Sequence, residues 1–304
     1  DPLYKLFTRV VGEDPPQLAE SLKELGIKLT KEELGLDVRP LLKLVLRVFF
    51  RNCGGFVDML AKKIYSPVEA GVRKLSFYTG ALNTTYAAGV EKCNPKGPLL
   101  VQIVKQYPNE DATKFYAFGR VYSGTLKLGE RVKVLGEDYT IDDQEDMAVE
   151  DVTGLYMYNT RYKVPMTQVT AGNWVLLEGV DATIAKTATI TSYFSATQDE
   201  VCIFRPLRFD TQAVVRLAIE PLKPSELPKM IKGLTGLNKT YPLLQTKKEE
   251  SGEHVIFGTG ELYLDTAMFD MRKLFTDIEI KVADPIVAFC ETVIQTSSFK
   301  CFAE

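Results

Sequence analysis

The feature that most limits what this chain can fold into is a change of hydrophobic period near residue 97. Before it, apolar residues recur at helical spacing; after it, they alternate along short runs punctuated by glycine. In the first section, Pro15-Pro16 stands at the first turn of a helix that Gly26 ends. Thr30 and Glu33 have the spacing of a capping box. Asp37 can cap a helix from about Arg39 to Arg51, whose apolar residues from Leu41 to Phe50 cover so much of its circumference that a sandwiched helix is expected. A last helix, Phe56 to Ile64, stops before Ser66-Pro67. Gly71 to Pro98 carries few periodic signals and reads as a linker.

The second section opens with a strand at Leu99 to Val104. Phe115 to Leu135 reads as a hairpin whose apolar residues are spaced by Gly119, Gly124, Gly129 and Gly136, and strands follow at Leu155–Met157, Lys163–Val169, Asn173–Leu177 and Thr187–Thr191. Short strands at close spacing predict a closed antiparallel barrel, because closure removes exposed edges. Between them, Glu137 to Asp151 holds eight carboxylates and no Lys or Arg. Such a run is expected as a solvated, mobile loop, a basic partner surface being the alternative. From Asp210 the order becomes strand, helix, strand, strand, helix, strand: Ala213–Glu220, Pro224–Leu237, Leu244–Glu249, His254–Gly258, Gly260–Phe275 and Ile278–Val282. That is the ferredoxin-like split βαβ.

Length and composition set the outer bounds. At ~150 residues per domain, 304 residues suggest about two domains. The balance of 37 basic and 40 acidic residues argues against a basic surface wrapped around nucleic acid, though not against a local basic patch. Five cysteines lack any Cys-x-x-Cys pair and there is one His, so zinc lacks its usual ligands and the thiols read as reduced. No apolar run reaches membrane length, and Lys43 and Arg47 break the longest. The opening Asp1-Pro2-Leu3-Tyr4 has no signal-peptide layout, and the chain reads as a piece of something longer.

Chemistry-bearing patterns are few. Gly119 to Gly124 has phosphate-loop spacing but lacks the Lys-Ser/Thr that would neutralise phosphates, and it alternates as a strand. Asp151-Val152-Thr153-Gly154 matches a switch motif inside barrel sequence. Asn238-Lys239-Thr240-Tyr241 begins like a guanine-reading motif but lacks its carboxylate. No GTP site is expected in these residues. His254, near Glu249, Glu250 and Glu253, reads as strand-end packing, with a metal site as the weaker alternative. Trp174 reads as barrel packing, or else as a recognition aromatic. Lys229, Lys232, Lys239, Lys247 and Lys248 form a solvated face or, alternatively, phosphate contacts.

Several segments together carry a resemblance. Gly119-Arg120-Val121-Tyr122-Ser123-Gly124-Thr125-Leu126, followed by Gly129-Glu130-Arg131-Val132, resembles the second-domain barrel of translational GTPases. Ser251-Gly252-Glu253-His254-Val255-Ile256 with Gly258-Thr259-Gly260-Glu261-Leu262-Tyr263-Leu264-Asp265 resembles the third-domain signature of elongation factor 2 and its kin. The resemblance covers essentially the whole chain. It implies a multidomain α+β architecture in a central fragment: 1–75, the helical C-terminal part of a G domain; 76–97, a linker; 98–206, the antiparallel β-barrel of domain II; 207–285, the ferredoxin-like βαββαβ domain III; and 286–304, the start of domain IV.

Two branches compete. Tyr263 and Asp265 stand where elongation factor 2 usually has His and Glu. Phe204-Arg205-Pro206-Leu207-Arg208-Phe209 and Thr296 to Glu304 resemble instead the elongation factor 2-like GTPases of the spliceosomal U5 small nuclear ribonucleoprotein. That branch implies a nuclear protein coupling its GTP state to spliceosome activation and disassembly. Its partners would be the U5 scaffold protein, the U5 RNA helicase, U5 snRNA and the protein's own G and C-terminal domains. The alternative is the matching fragment of elongation factor 2, a ribosomal translocase. Either way GTP and Mg2+ belong to the intact protein, and the fragment carries no catalytic, cofactor or metal residue and no membrane contact. Its candidate interface residues are Arg120, Lys239, Glu261, Tyr263 and Asp265; for Glu261 and Asp265 the alternative role is to favour the helix dipole.

Overall fold

The computed structural model describes the chain except for residues 1, 83, 143–144, 194–200, 288, 290, 293, 296–297 and 300–304. Cys290, Cys301 and most of the Thr296–Glu304 motif therefore lie outside the described residues. The chain divides after Tyr65 into a helical unit and a larger mixed unit.

The helical unit contains α1 (Pro2–Gly12), α2 (Pro15–Glu24), α3 (Lys31–Leu34), α4 (Val38–Phe50) and α5 (Gly54–Lys63) around Leu6, Val10, Leu18, Leu22, Ile27, Leu41 and Val45. Gly26, at φ +75°, ends α2 in a Schellman turn: the amide of Ile27 donates to the Leu22 carbonyl at 3.0 Å, and both side chains enter the core. The α3 capping box forms, with Thr30 N donating to Glu33 Oε2 at 2.7 Å and Glu33 N to Thr30 Oγ1 at 3.3 Å. The Thr30 amide, together with the Thr30 hydroxyl donating to the same oxygen at 3.0 Å, holds the Glu33 carboxyl below its usual range. The sandwiched reading of the fourth helix is corrected. Only Leu41 and Val45 of α4 are fully buried, while Val38 and Phe50 are exposed. Leu42, Leu46, Val48 and Phe49 are half-buried against the same core, so the helix packs by one broad face and is not enclosed on all sides.

The mixed unit begins with α6 (Pro67–Lys74), capped by a second box between Ser66 and Glu69. Residues 76–97 are not featureless. They contain α7 (Thr85–Glu91), which buries Tyr86 and Val90 with Tyr78, Leu100, Tyr122 and Phe204. Tyr78 and Phe204 form a β-bridge, and Arg205 N donates to the Phe77 carbonyl at 2.8 Å. The expected Phe204–Phe209 motif is thus strapped to the segment before the barrel.

Ten strands follow: β1 (Leu100–Pro108), β2 (Phe115–Ser123), β3 (Thr125–Lys127), β4 (Arg131–Leu135), β5 (Met147–Asp151), β6 (Gly154–Asn159), β7 (Tyr162–Pro165), β8 (Gln168–Thr170), β9 (Trp174–Glu178) and β10 (Ala188–Ser192). Eight of them form an antiparallel sheet in the order β5-β4-β10-β1-β2-β9-β6-β7. The short β3–β8 ladder, with Gly129 N donating to Val152 O and Met166 N to Leu155 O, links its two ends into a barrel. The core is filled by Val101, Ile103, Ala117, Val121, Val134, Leu155, Val175, Leu177 and Ile190.

Phe115–Leu135 is not a hairpin. At Gly124 (φ +80°) and Gly129 (φ +77°) the chain leaves the sheet, so β2 pairs with β1 and β9, β3 with β8, and β4 with β10 and β5. The acidic stretch is also corrected, since it is pinned at several points. Glu137 Oε1 accepts from Thr187 N and Oγ1 at 2.7 and 2.9 Å, Asp146 accepts from Asp138 N, and β5 pairs with β4, where Asp151 meets Arg131.

The last layer has the expected order: β11 (Val215–Pro221), α8 (Leu227–Thr240), β12 (Gln245–Lys248), β13 (His254–Gly258), α9 (Glu261–Asp270) and β14 (Ile280–Val282). The sheet runs β12-β13-β11-β14, and β15 (Ile286–Val287) extends the β14 side along β11. A π-helical turn, Met271–Thr276, continues α9.

Gly119 tests the barrel directly. A β-bulge between Ile103 and Lys105 brings β1 so close that a Cβ on Gly119 would sit 2.4 Å from the Gln102 carbonyl oxygen. Gly119→Ala should cost about 1–3 kcal/mol by overpacking, read as a lower urea midpoint at unchanged m-value; an unchanged midpoint would contradict the register.

Candidate functional site

The most constructed polar site lies between the barrel and α8. Lys239, near the end of α8, extends its ammonium to the Asp181 carbonyl at 2.5 Å, with Ala182 O at 3.4 Å. From the barrel side, Lys186 donates to the carbonyls of Pro242 at 3.0 Å and Leu244 at 2.6 Å, just past the end of α8. Each element thus supplies a lysine to the other's loop carbonyls, which would otherwise lose water without gaining a donor. Burial lowers the pKa of both ammonium groups; Glu137 partly offsets this at Lys186, and Asp181 does so at Lys239. The hydrogen-bonded carbonyls nonetheless suit the charged form.

Aromatic packing fixes the same joint. Phe115 stacks on Phe275 of the π-helical turn, with centroids 6.2 Å apart and planes 12° apart, and Lys239 Nζ lies 5.5 Å over the Phe115 ring. Phe115 N donates to Asp181 Oδ2 at 3.0 Å, ordering the loop that Lys239 grips. On α8, a Cβ at Gly236 would fall 2.7 Å from the Phe275 ring, so only glycine leaves room for the stack. Beside the joint opens a groove of about 450 Å³, lined by Glu137, Lys186, Thr187, Phe209, Pro242 and Leu243.

The structure separates the candidate interface residues into three places. Lys239 is in the joint, half-buried, and is neither on a solvated face nor free for phosphate. Tyr263 lies close by: its ring meets Tyr241 edge-on at 5.5 Å, and its buried hydroxyl sits near the Leu243 and Leu244 backbone. Burial raises the Tyr263 pKa. Tyr241 in turn donates to Asp270 Oδ2 at 2.5 Å, and burial together with this carboxylate pushes its pKa far up. Glu261 and Asp265 are exposed and line a different groove, of about 510 Å³, with Leu217, Phe269 and Pro285.

Arg120 is on the outer face of β2. Its guanidinium lies 5.6 Å from the Trp174 ring and 5.7 Å from that of Tyr122. Trp174 is 46% exposed and stacks on Phe118, so the barrel-packing reading is corrected: it lies outside the barrel core. Lys186, Phe115 and Phe275 escape a sequence reading, because nothing in Ala185-Lys186-Thr187 marks a lysine whose partners are carbonyls more than fifty residues away.

The three nucleotide-like stretches are committed to the fold. Gly119–Gly124 runs along β2 into its turn, Asp151 pairs with Arg131, and Lys239 holds the 181–182 loop. They do not make a phosphate cradle. His254 starts β13 opposite Ile219 and Lys248, and burial and Lys248 lower its pKa. Among the described residues, no group of three or more His, Cys, Asp or Glu is placed to hold a metal, and no helix is long and apolar enough to cross a membrane.

Residues 114–191 match the model of elongation factor Tu domain 2. Over 305 residues the chain is 50% identical to the 110 kDa U5 small nuclear ribonucleoprotein component CLO of Arabidopsis thaliana, and also 50% identical to the 109 kDa component GFL of the same plant. It is 44% identical over 307 residues to pre-mRNA-splicing factor cwf10 of Schizosaccharomyces pombe. Each alignment takes in 100% of this chain and 31% of the relative, so the chain spans about a third of their length.

The joint yields two expectations. Lys186→Met and Lys239→Met should each destabilise the mixed unit by about 1–3 kcal/mol, the cost of leaving carbonyls without a charged donor. In the double variant, urea should unfold the barrel (followed by Trp174 fluorescence) and β13 (followed by amide exchange) at different midpoints; a single shared transition would mean the lysines do not couple them. Tyr241 has a folded pKa above its unfolded value, so its contribution is full below about pH 10 and is lost as pH rises through the folded pKa. Tyr241→Phe should therefore flatten part of the alkaline fall in stability above pH 10, measured by urea midpoints.

Proposed function

Since the chain belongs to the elongation factor 2-like family of U5 small nuclear ribonucleoprotein components, we propose that it is the non-catalytic relay and scaffold portion of a spliceosomal GTPase. The observation that carries the relay reading is the reciprocal lysine joint. A barrel and a split βαβ layer bound through four carbonyls and a ring stack move together, yet a few hydrogen bonds separate that arrangement from another. Such a joint transmits a displacement without any reacting group.

In this reading GTP and Mg2+ are held outside these residues, whose phosphate-like motifs are spent on strands, an ion pair and the joint. The intact protein is nuclear and couples its GTP state to spliceosome activation and disassembly. Its partners are the U5 scaffold protein, the U5 RNA helicase, U5 snRNA and its own remaining domains. The boundaries 1–75, 76–97, 98–206, 207–285 and 286–304 belong to the same proposal, as do interface roles for Arg120, Glu261, Tyr263 and Asp265. The similarity to U5 components and to a pre-mRNA-splicing factor favours a splicing role over a ribosomal translocase.

The test introduces Lys186→Met with Lys239→Met into the intact protein and measures pre-mRNA splicing in depleted nuclear extract. A relay predicts that the variant still co-purifies with U5 RNA and still binds GTP, while splicing falls severalfold. Unchanged splicing with a demonstrably loosened joint would overturn the relay reading.

A further inference from the structure

The outer face of β1, β2, β9 and β6 carries rings that the fold does not need for its core. Trp174 stacks on Phe118 at 5.1 Å and 7°, Phe118 meets Tyr107 and Tyr158 at 6.0 and 6.1 Å, and Tyr107 meets Tyr158 at 5.4 Å. The same strands fill the barrel with Ala117, Val175, Leu177 and Leu155 on their inner face. The rings therefore form a platform on the outside, with Trp174 its most open member.

Cations cover this platform. Arg120 lies over Trp174, Lys105 Nζ lies 5.0 Å over Tyr107, and Lys163 Nζ lies 4.1 Å over Tyr116, whose ring meets Tyr156 edge-on. A cation over a ring face is held by the ring's quadrupole and not by a carboxylate. Among the described residues, none of the three cations is ion-paired to a carboxylate. The buried Nε of Arg120 has no hydrogen-bond partner. Glu178, on the same face, accepts from the Tyr156 hydroxyl.

We propose that this face binds single-stranded RNA, bases lying on the Trp174–Phe118–Tyr158–Tyr107 platform and phosphates meeting Arg120, Lys105 and Lys163. The exposed Trp174, backed by the half-buried Phe118, Tyr107 and Tyr158, gives a base a π-face to stack on whatever its identity, and cations without a carboxylate partner supply the backbone contacts. An acidic peptide would use the cations and leave the rings idle; a duplex keeps its bases stacked inside. The proposal rests on the ribonucleoprotein reading only in choosing RNA over single-stranded DNA.

Trp174 is the only tryptophan in the chain, so its fluorescence reports on this face alone. Titration of the purified chain with a mixed-sequence single-stranded RNA of about a dozen nucleotides, long enough to cross one such surface, should quench it saturably. The log–log salt slope should be near −2, at about 0.7 per neutralised phosphate. Lys105→Gln with Lys163→Gln should reduce that slope by about 1.4, and Arg120→Gln should weaken binding about tenfold. Lys163 is exposed and reaches the Tyr116 ring only with its ammonium, so Lys163→Gln alone, which should reduce the slope by about 0.7, keeps the test open if Arg120→Gln fails to fold. No quenching, equal quenching by duplex RNA, or quenching by polyglutamate instead would overturn the proposal. Association with the U5 particle is scored separately by U5 RNA recovery. Normal recovery with a silent Trp174 sinks this site alone, and RNA quenching without recovery sinks the particle reading alone.

Discussion

The joint between the barrel core and the βαβ core depends on a lysine ammonium meeting backbone carbonyls from each side. Loops that end a strand or a helix present carbonyl oxygens with no partner of their own, and packing two such ends together removes the water that served them. Lys239 and Lys186 solve this from opposite sides, and each carries more than one N–H donor, enough for the paired carbonyls of 181–182 and of Pro242 with Leu244. Their long stems also allow a charged head to reach the seam from an element packed beside it. The cost is partial burial of two cations, visible in their lowered pKa values, and Glu137 and Asp181 soften it.

Close backbone approach is the second constraint, and glycine provides it at the places that matter for the joint. Gly236 admits Phe275 against α8, and the π-helical turn then carries that ring out to Phe115. A regular α-helix over the same residues would rotate Phe275 along the face of the helix; the wider turn re-aims it, as such turns do elsewhere at functional positions. The acidic stretch joins in through Glu137, which accepts from Thr187 next to Lys186. A segment that looks like a solvated charge run is thereby tied, at its first residue, to the seam.

Local signals in the sequence carried the elements well and their partners poorly. The split βαβ order, the Thr30–Glu33 box and the Gly26 stop are all decided within a few residues, by period, capping and positive φ, and they stand in the structure as expected. The same box at Ser66–Glu69 is equally legible, although Ser66-Pro67 also marks the stop of the helix before it. The Phe115–Leu135 hairpin failed for another reason: Gly124 and Gly129 are real turns, but Gly119 lies within β2, and β4 pairs with a strand more than fifty residues later, which no local pattern encodes. Helix α4 failed in the opposite sense, since its composition suggests cover on all sides and it packs by one broad face. At the site, Lys239 could be singled out as one of a cluster, whereas its use could not, because the lysines around it remain on the surface.

The chain's cations thus divide by what satisfies them, and that division says more than the net charge of −3. Lys186 and Lys239 are consumed inside the fold by carbonyls. Arg131, Arg216 and Lys281 are matched on the surface by carboxylates of neighbouring strands or loops, pairs worth little to stability. Arg120, Lys105 and Lys163 lie over ring faces and, among the described residues, meet no carboxylate. A cation over a ring gives up little to exchange that ring for an anion, while a cation wedged among carbonyls cannot leave without opening the seam. The barrel therefore carries two different surfaces on one sheet: a seam with the βαβ layer that resists rearrangement until its hydrogen bonds are broken, and an outer platform whose charges are free to change partners. A contact made on the platform can therefore be gained or lost without breaking the hydrogen bonds of the joint.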